Sequence, residues 1–173
     1  MQITIRKFGK ADIENKVKWI NDLNNNQYLH YNLPLEYKKT LEWYLANVSN
    51  NNRYDAVIEA DGVAVGIIGL LEIDYKNLKA EYYITLGEQN YKGKGISYKA
   101  SLLLLEYAFF ELKINKVYLY TEVDNIPAQR LFEKVGFKKE GLLKEDLIYN
   151  GRKVDRFFYG ITANEYSCPI DNS

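Results

Sequence analysis

The stretch "NYKGKGI", residues 90–96, holds the residue types most able to do chemistry in this chain. Glycines at 93 and 95 let backbone N–H groups approach an anion closely, and the apolar run from Ile96 onward would place a helix N-terminus behind them. Lys92 and Lys94 add local positive charge. Two familiar nucleotide-binding patterns fail on these residues. A Walker loop reads GxxxxGK and then Ser or Thr, but five residues separate Gly87 from Gly93, and Gly95 follows Lys94. A Rossmann fingerprint would put a third glycine where Tyr98 stands. The loop reads as an anion cradle of another kind.

Other reactive side chains are scarce. The single histidine is His30, and the single cysteine, Cys168, lies in a polar C-terminal tail. A Cys–His nucleophile and a disulfide framework are set aside, Cys168 is read as inert, and a reducing compartment is expected. No metal site is expected. Lysine plus arginine and aspartate plus glutamate each total 23, so no global field would draw nucleic acid or an anionic membrane. No apolar run reaches the roughly 18 residues of a membrane span, and "MQITIRKF" alternates like a strand and lacks a signal-peptide core. The expectation is one cytoplasmic domain over residues 1–166 with a tail at 167–173, and neither nucleic acid nor membrane as partner.

The elements that must position the loop follow from periodicity. Residues 2–8 read as a strand. Asp12 is placed to cap a helix over 13–24 with Ile13, Val17 and Ile20 as its stripe, and a second helix spans 35–49. The period then drops to two. Residues 53–60, the turn Asp61-Gly62 and residues 63–73 form a hairpin, and 79–86 adds a third antiparallel strand. A helix over 95–112 follows the loop, apolar on most of its surface and so covered on more than one side. Residues 115–123 form a strand with Tyr118, Tyr120 and Glu122 on one face. A short helix begins near Pro127 and stops at Gly136, and two strands linked through 149–151 complete the chain. A helix between two strands makes a right-handed crossover, so 79–86 and 115–123 should be parallel neighbours.

The loop in this context, followed by Asn125-x-x-Ala128-x-x-Leu131-Phe132-x-x-x-Gly136-Phe137, resembles the GNAT family of acetyltransferases over essentially the whole chain. That family's pyrophosphate loop, Q/R-x-x-G-x-G/A, is matched from Asn90 to Gly95, with Asn90 in place of the usual Gln or Arg. Its later motif is matched except at Phe132, where many members carry a proton-donating Tyr. The resemblance implies a mixed α/β fold. Its sheet would have about seven strands, mostly antiparallel, with one splayed parallel pair at the centre and about four flanking helices. It implies acetyl-CoA as co-substrate. The pantetheine would run along 83–87, including Leu86 and Gly87. The pyrophosphate would sit on the amides of Lys92, Gly93, Lys94, Gly95 and Ile96 beside Tyr91, and Asn125 would hold the thioester end.

Acyl transfer to an amine needs a polarised carbonyl, a neutral amine and a route for one proton. A backbone N–H near Leu86 or Gly87 would polarise the carbonyl. An alkyl ammonium has a pKa of about 10, so a base is useful. The resemblance points first to Glu81, with Glu122 as a second carboxylate and Tyr83 as candidate acid. Phe132 cannot donate a proton, but a thiol of pKa about 8.5 leaves tolerably without an acid. His30 and Tyr31 fall where the family builds its acceptor site. Tyr118, Tyr120 and Arg130 read as packing or solvated residues.

The acceptor is expected to be a small-molecule amine, and two subgroup resemblances compete for it. "AEYYI", "YKGKG" and "EGLLKEDLIYNGRKVD" look like spermidine and ribosomal-protein N-terminal acetyltransferases. The segment from "WINDLNNN" to "EWYLAN" looks like enzymes that acetylate a nucleotide-linked amino sugar. Residues 24–54 offer only Glu36 and Glu42 as acids among many Asn and Tyr, which tips the expectation to the amino sugar. Phe132 keeps open a reading of another class, a silent acyl-CoA-binding domain. Exposed aromatics leave room for a homodimer.

Overall fold

The computed structural model describes residues 1–167, so Cys168 and the rest of the expected tail lie outside the described residues. Seven strands form one sheet in the order β1-β2-β3-β4-β5-β7-β6. These are β1 (Ile3–Lys7), β2 (Tyr54–Ala60), β3 (Val63–Asp74), β4 (Lys79–Leu86), β5 (Lys116–Glu122), β6 (Lys138–Tyr149) and β7 (Arg152–Thr162). The helices are α1 (Ile13–Asn21), α2 (Tyr37–Asn47), α3 (Ile96–Glu106) and α4 (Ile126–Val135). The expected element order therefore holds, and the one parallel pair is β4 with β5.

The differences are local. Helix α1 ends at Asn21 and α2 begins at Tyr37, which lengthens the loop between them at the expense of both expected helices. Asp12 does not cap α1. Its carboxylate is turned back onto the Gly9 N–H and both Nη atoms of Arg6, at 2.8 Å each, which pins β1 to the helix start. Helix α3 gives way after Glu106 to a π turn, Tyr107–Glu111.

The sheet is covered on both faces. Beneath α3 and α4 lie Ile58, Ile68, Leu70, Tyr82, Val117 and Leu119, met by Leu104 and Leu105 of α3 itself, each at most 3% exposed. Under α1 and α2 a smaller cluster joins Phe8, Ile13, Trp19, Ile20, Val57 and Ile67. Each fully buried aliphatic side chain contributes about 1.5–3 kcal/mol, so the larger cluster dominates. Helix α3 packs against β1, β3, β4 and α4, as its broad apolar surface demands. Among the described residues no helix is long and apolar enough to cross a membrane.

The feature that matters for function is how little β4 and β5 share. They pair only at Lys79–Lys116, Ala80–Val117 and Glu81–Tyr118. Beyond Glu81 they diverge, while β5 stays paired to β7 along its full length and β4 to β3.

Candidate active site

A cleft of about 850 Å³ opens where the two strands part. Its walls come from β4, the loop before α3, the end of β5, the start of α4 and the loop after α1.

One wall is backbone. In an antiparallel ladder, residues bonded to one neighbour alternate with residues that face the other way. The Gly87 N–H donates to the Val65 carbonyl at 2.8 Å, and Leu86 faces Gly66 in the register. That phase sends the amides of Ile84 and Leu86 away from β3 and into the gap. Of the expected pair, Leu86 therefore turns its N–H into the gap, and Gly87 does not. Gly87 has another duty: a Cβ there would overlap the Trp19 ring. Further along, Gly93 and Gly95 both adopt φ of +74°, with nothing within 4 Å of where a Cβ would sit. Gly95 precedes α3, which has no side-chain cap, so the amides from Gly93 to Ile96 lack an acceptor among the described residues at the positive end of the helix dipole. The Lys92 amide is not among them, because it donates to the Gln89 carbonyl. Its ammonium reaches Asn25 Oδ1 at 2.7 Å, and the Lys94 ammonium lies 5.5 Å from the Tyr91 ring centroid. Asn125 caps α4, its Oδ1 accepting from the Ala128 N–H at 3.3 Å. Its amide NH₂ makes no hydrogen bond among the described residues and is left for a ligand.

The opposite wall is made of side chains. Glu81 sits at the last paired position of β4, lines the cleft and makes no side-chain hydrogen bond among the described residues. Burial, only partly offset by Arg156, pushes its carboxyl above the usual value. Glu122 is different. Its side chain is 2% exposed, with Oε1 2.7 Å from His30 Nε2 and Oε2 3.3 Å from Arg152. It holds the loop carrying His30 against the end of β5. Tyr83 is among the residues lining the cleft, but its ring lies over Gly69 and its hydroxyl donates to Asp55 at 2.6 Å. Burial first, then Asp55, hold that hydroxyl well above its ordinary value, so its proton is poorly placed for a leaving thiolate. Tyr31 packs in the α1–α2 cluster, and its carbonyl accepts from Tyr149. His30 meets the Tyr149 ring edge-on at 5.1 Å. Tyr118 and Tyr120 pack with Phe158, and Arg130 is exposed, as expected.

Several residues escaped the sequence reading. Asn25 donates to the Trp19 and Gly87 carbonyls and accepts from Gln89 and Lys92, so one side chain ties the loop after α1 to the glycine loop. Glu88 adds a parallel tie to Lys18 and the Trp19 indole. Asp55 and Arg152 are paired to site residues from 28 and 30 positions away. A run of Asn in "LNNNQ" was the only local signal for any of them. Phe132 is buried beside Tyr82 and Phe137, at 5.8 and 6.1 Å between ring centroids.

Known proteins share this arrangement. A sequence model of the acetyltransferase (GNAT) domain matches residues 2–138. The spermidine N(1)-acetyltransferase of Vibrio cholerae serotype O1 is 31% identical over 159 residues, 89% of each chain. That of Escherichia coli (strain K12) is 29% identical over 87% of this chain and 80% of its own. The solved structure of the Vibrio cholerae spermidine N-acetyltransferase in complex with CoA and spermine superposes with a TM-score of 0.88 at 30% identity, covering 95% of this chain and 98% of that one. A splayed strand pair, a glycine loop at a helix N-terminus and agreement over the full domain leave no place for a silent scaffold: the chain belongs to the GNAT acetyltransferase family and is an acetyl-CoA-dependent N-acetyltransferase.

Proposed function

We propose that the acceptor is a polyamine of the spermidine class, acetylated on a primary amine by direct transfer while both substrates are bound. The observation that carries this reading is Glu81, a half-buried cleft carboxylate with no hydrogen-bonding partner among the described residues, at the point where the strands part. Such a group attracts an ammonium and can then take its proton. The spermidine enzymes among the relatives support the same choice.

The amino-sugar expectation is set aside for a structural reason. It rested on the shortage of acids in residues 24–54, whereas the cleft carboxylates Glu81 and Glu122 come from β4 and β5. Glu36 pairs with Lys39 at the start of α2, and Glu42 lies on the same helix, away from the cleft lining.

The residues divide the chemistry as follows. The amides from Gly93 to Ile96 hold the pyrophosphate, and those of Ile84 and Leu86 meet the extended pantetheine and polarise the thioester carbonyl. Glu81 accepts the proton of the attacking amine, directly or through one water. Its raised pKa brings it nearer the working pH than an exposed glutamate. Glu122, bound to His30 and Arg152, fixes the acceptor loop. Phe132 supplies no proton, so the sulfur leaves as a thiolate, tolerable for a thiol of pKa about 8.5.

Thiol release from acetyl-CoA, followed over spermidine, spermine, an amino-sugar nucleotide and an N-terminal ribosomal peptide, tests this. Spermidine or spermine should show the highest kcat/KM. Turnover of the sugar nucleotide without turnover of either polyamine would overturn the proposal.

A further inference from the structure

We propose that the protein carries a second ligand site, for a small planar aromatic carboxylate, in a cavity beneath the C-terminal half of α2. The cavity is about 240 Å³ and lies between α2, the adjoining ends of β1, β2 and β3, and the π turn after α3. It shares no lining residue with the catalytic cleft.

Its shape and chemistry select the ligand. Trp43, Tyr54 and Tyr107 supply aromatic walls, the last two with ring centroids 4.4 Å apart at 31°. Arg53 supplies the charge. Its Nε and Nη2 are held by Asp55 at 2.7 and 2.9 Å, its guanidinium lies 4.9 Å from the Trp43 ring centroid, and Nη1 has no acceptor among the described residues. The local balance is positive. Lys7 also lines the cavity, and the Lys16 ammonium sits 3.4 Å from the centroid of the same Trp43 ring. Asp55 is the one carboxylate in the lining, and it is already bound to Arg53 and to the Tyr83 hydroxyl. A cation would meet like charge, and a neutral ring would leave Nη1 without an acceptor. A carboxylate suits the planar donor fork of arginine. A dry cavity of roughly 150 Å³ accepts benzene, so this volume suits one ring with its carboxylate and excludes a nucleotide.

The cavity has a route to the catalytic cleft. Asp55 forms part of its wall, and Asp55 holds the hydroxyl of Tyr83, a residue that also lines the cleft. A ligand drawing on Arg53 therefore shares that guanidinium with Asp55, the group that fixes Tyr83.

Benzoate is the probe, added to the full chain with CoA present at saturation so that the glycine loop is already filled. Calorimetry and tryptophan fluorescence should show saturable benzoate binding, with benzamide and acetate each about tenfold weaker or more. Arg53→Gln should weaken benzoate about tenfold while leaving CoA affinity unchanged. Because Arg53→Gln also strips a partner from Asp55, Tyr107→Ala serves as the second variant, removing an aromatic wall without touching a charge. No binding of benzoate at about 10 mM, equal binding of benzamide, or full affinity in the folded variants would each overturn the site.

Discussion

The two walls of the catalytic cleft are built from different material. The wall proposed for the cofactor is backbone: amides of β4 without a neighbouring strand, and amides of a glycine loop at a helix start. The wall proposed for the acceptor is side chain on side chain, with His30, Glu122 and Arg152 in one cluster and Glu81 apart from it. Backbone donors depend on main-chain conformation and tolerate changes of side chain. Side-chain clusters depend on each member, because a buried charge left without its partner costs more than the bond was worth. The cofactor wall should therefore yield to changes that disturb the main chain, and the acceptor wall to single polar substitutions.

The largest expected effect breaks the junction between the walls. Gly87→Ala forces a methyl group into the Trp19 ring, which is 1% exposed and cannot retreat. A loss of about 3 kcal/mol, or roughly 6–10 °C in Tm, is expected by thermal unfolding. A Tm within about 2 °C of the parent would show that the two are not packed as described.

Next comes Glu81→Gln, expected to lower kcat/KM for spermidine about 100-fold while leaving the KM for acetyl-CoA in place. The parent's activity should fall on acidification along a limb set by Glu81, above the range of an exposed glutamate because burial raises its pKa. The variant should lose that limb. The sign for stability is opposite to that for catalysis. A carboxyl whose folded pKa is raised favours the fold below its unfolded pKa, and that contribution is lost as pH rises through the folded value. At neutral pH Glu81→Gln should thus be slightly more stable, by up to about 2 °C. A variant that is both slower and less stable would mean that Glu81 is a structural residue.

Asn25→Ala sharpens the comparison, since Asn25, on the loop that carries His30, bonds the Gly87 carbonyl and the Lys92 ammonium beside the glycine loop. Losing its four hydrogen bonds should raise KM for acetyl-CoA and for spermidine together, by about five- to tenfold, with kcat little changed. If only one KM moves, the walls are independent. The smallest effect is expected for Lys92→Met, because its ammonium faces Asn25 and the anion is met by amides. A rise of less than about threefold in KM for acetyl-CoA is expected, and about tenfold would assign the pyrophosphate to side chains.

The same division decides what the sequence made legible. Backbone geometry is written in residue type, so Gly93, Gly95 and the crossover helix announced the cofactor wall from a short stretch of chain. Element order followed from periodicity for the same reason. Side-chain pairing is written nowhere locally. His30 and Glu122 are 92 residues apart, and Tyr83 and Asp55 meet only because β2, β3 and β4 lie side by side. The search for acceptor carboxylates inside residues 24–54 failed because a cleft gathers its charges from strands across the sheet. Asp12 misled in the same way: its type and position suit a cap, but Arg6 on β1 presents two donors that outweigh a helix terminus.

The three-residue overlap of β4 with β5 has a consequence beyond catalysis. A sheet that stops short keeps amides in want of an acceptor, and in the proposed reading an extended thioester arm laid along Ile84 and Leu86 would act as the missing strand. Folding and occupancy are then one equilibrium. Acetyl-CoA at about a hundred times its dissociation constant adds about 2.7 kcal/mol to the native state. Inside a cell the population open to proteases would shrink and grow with the supply of acetyl groups, so the abundance of the enzyme would follow the metabolite it spends.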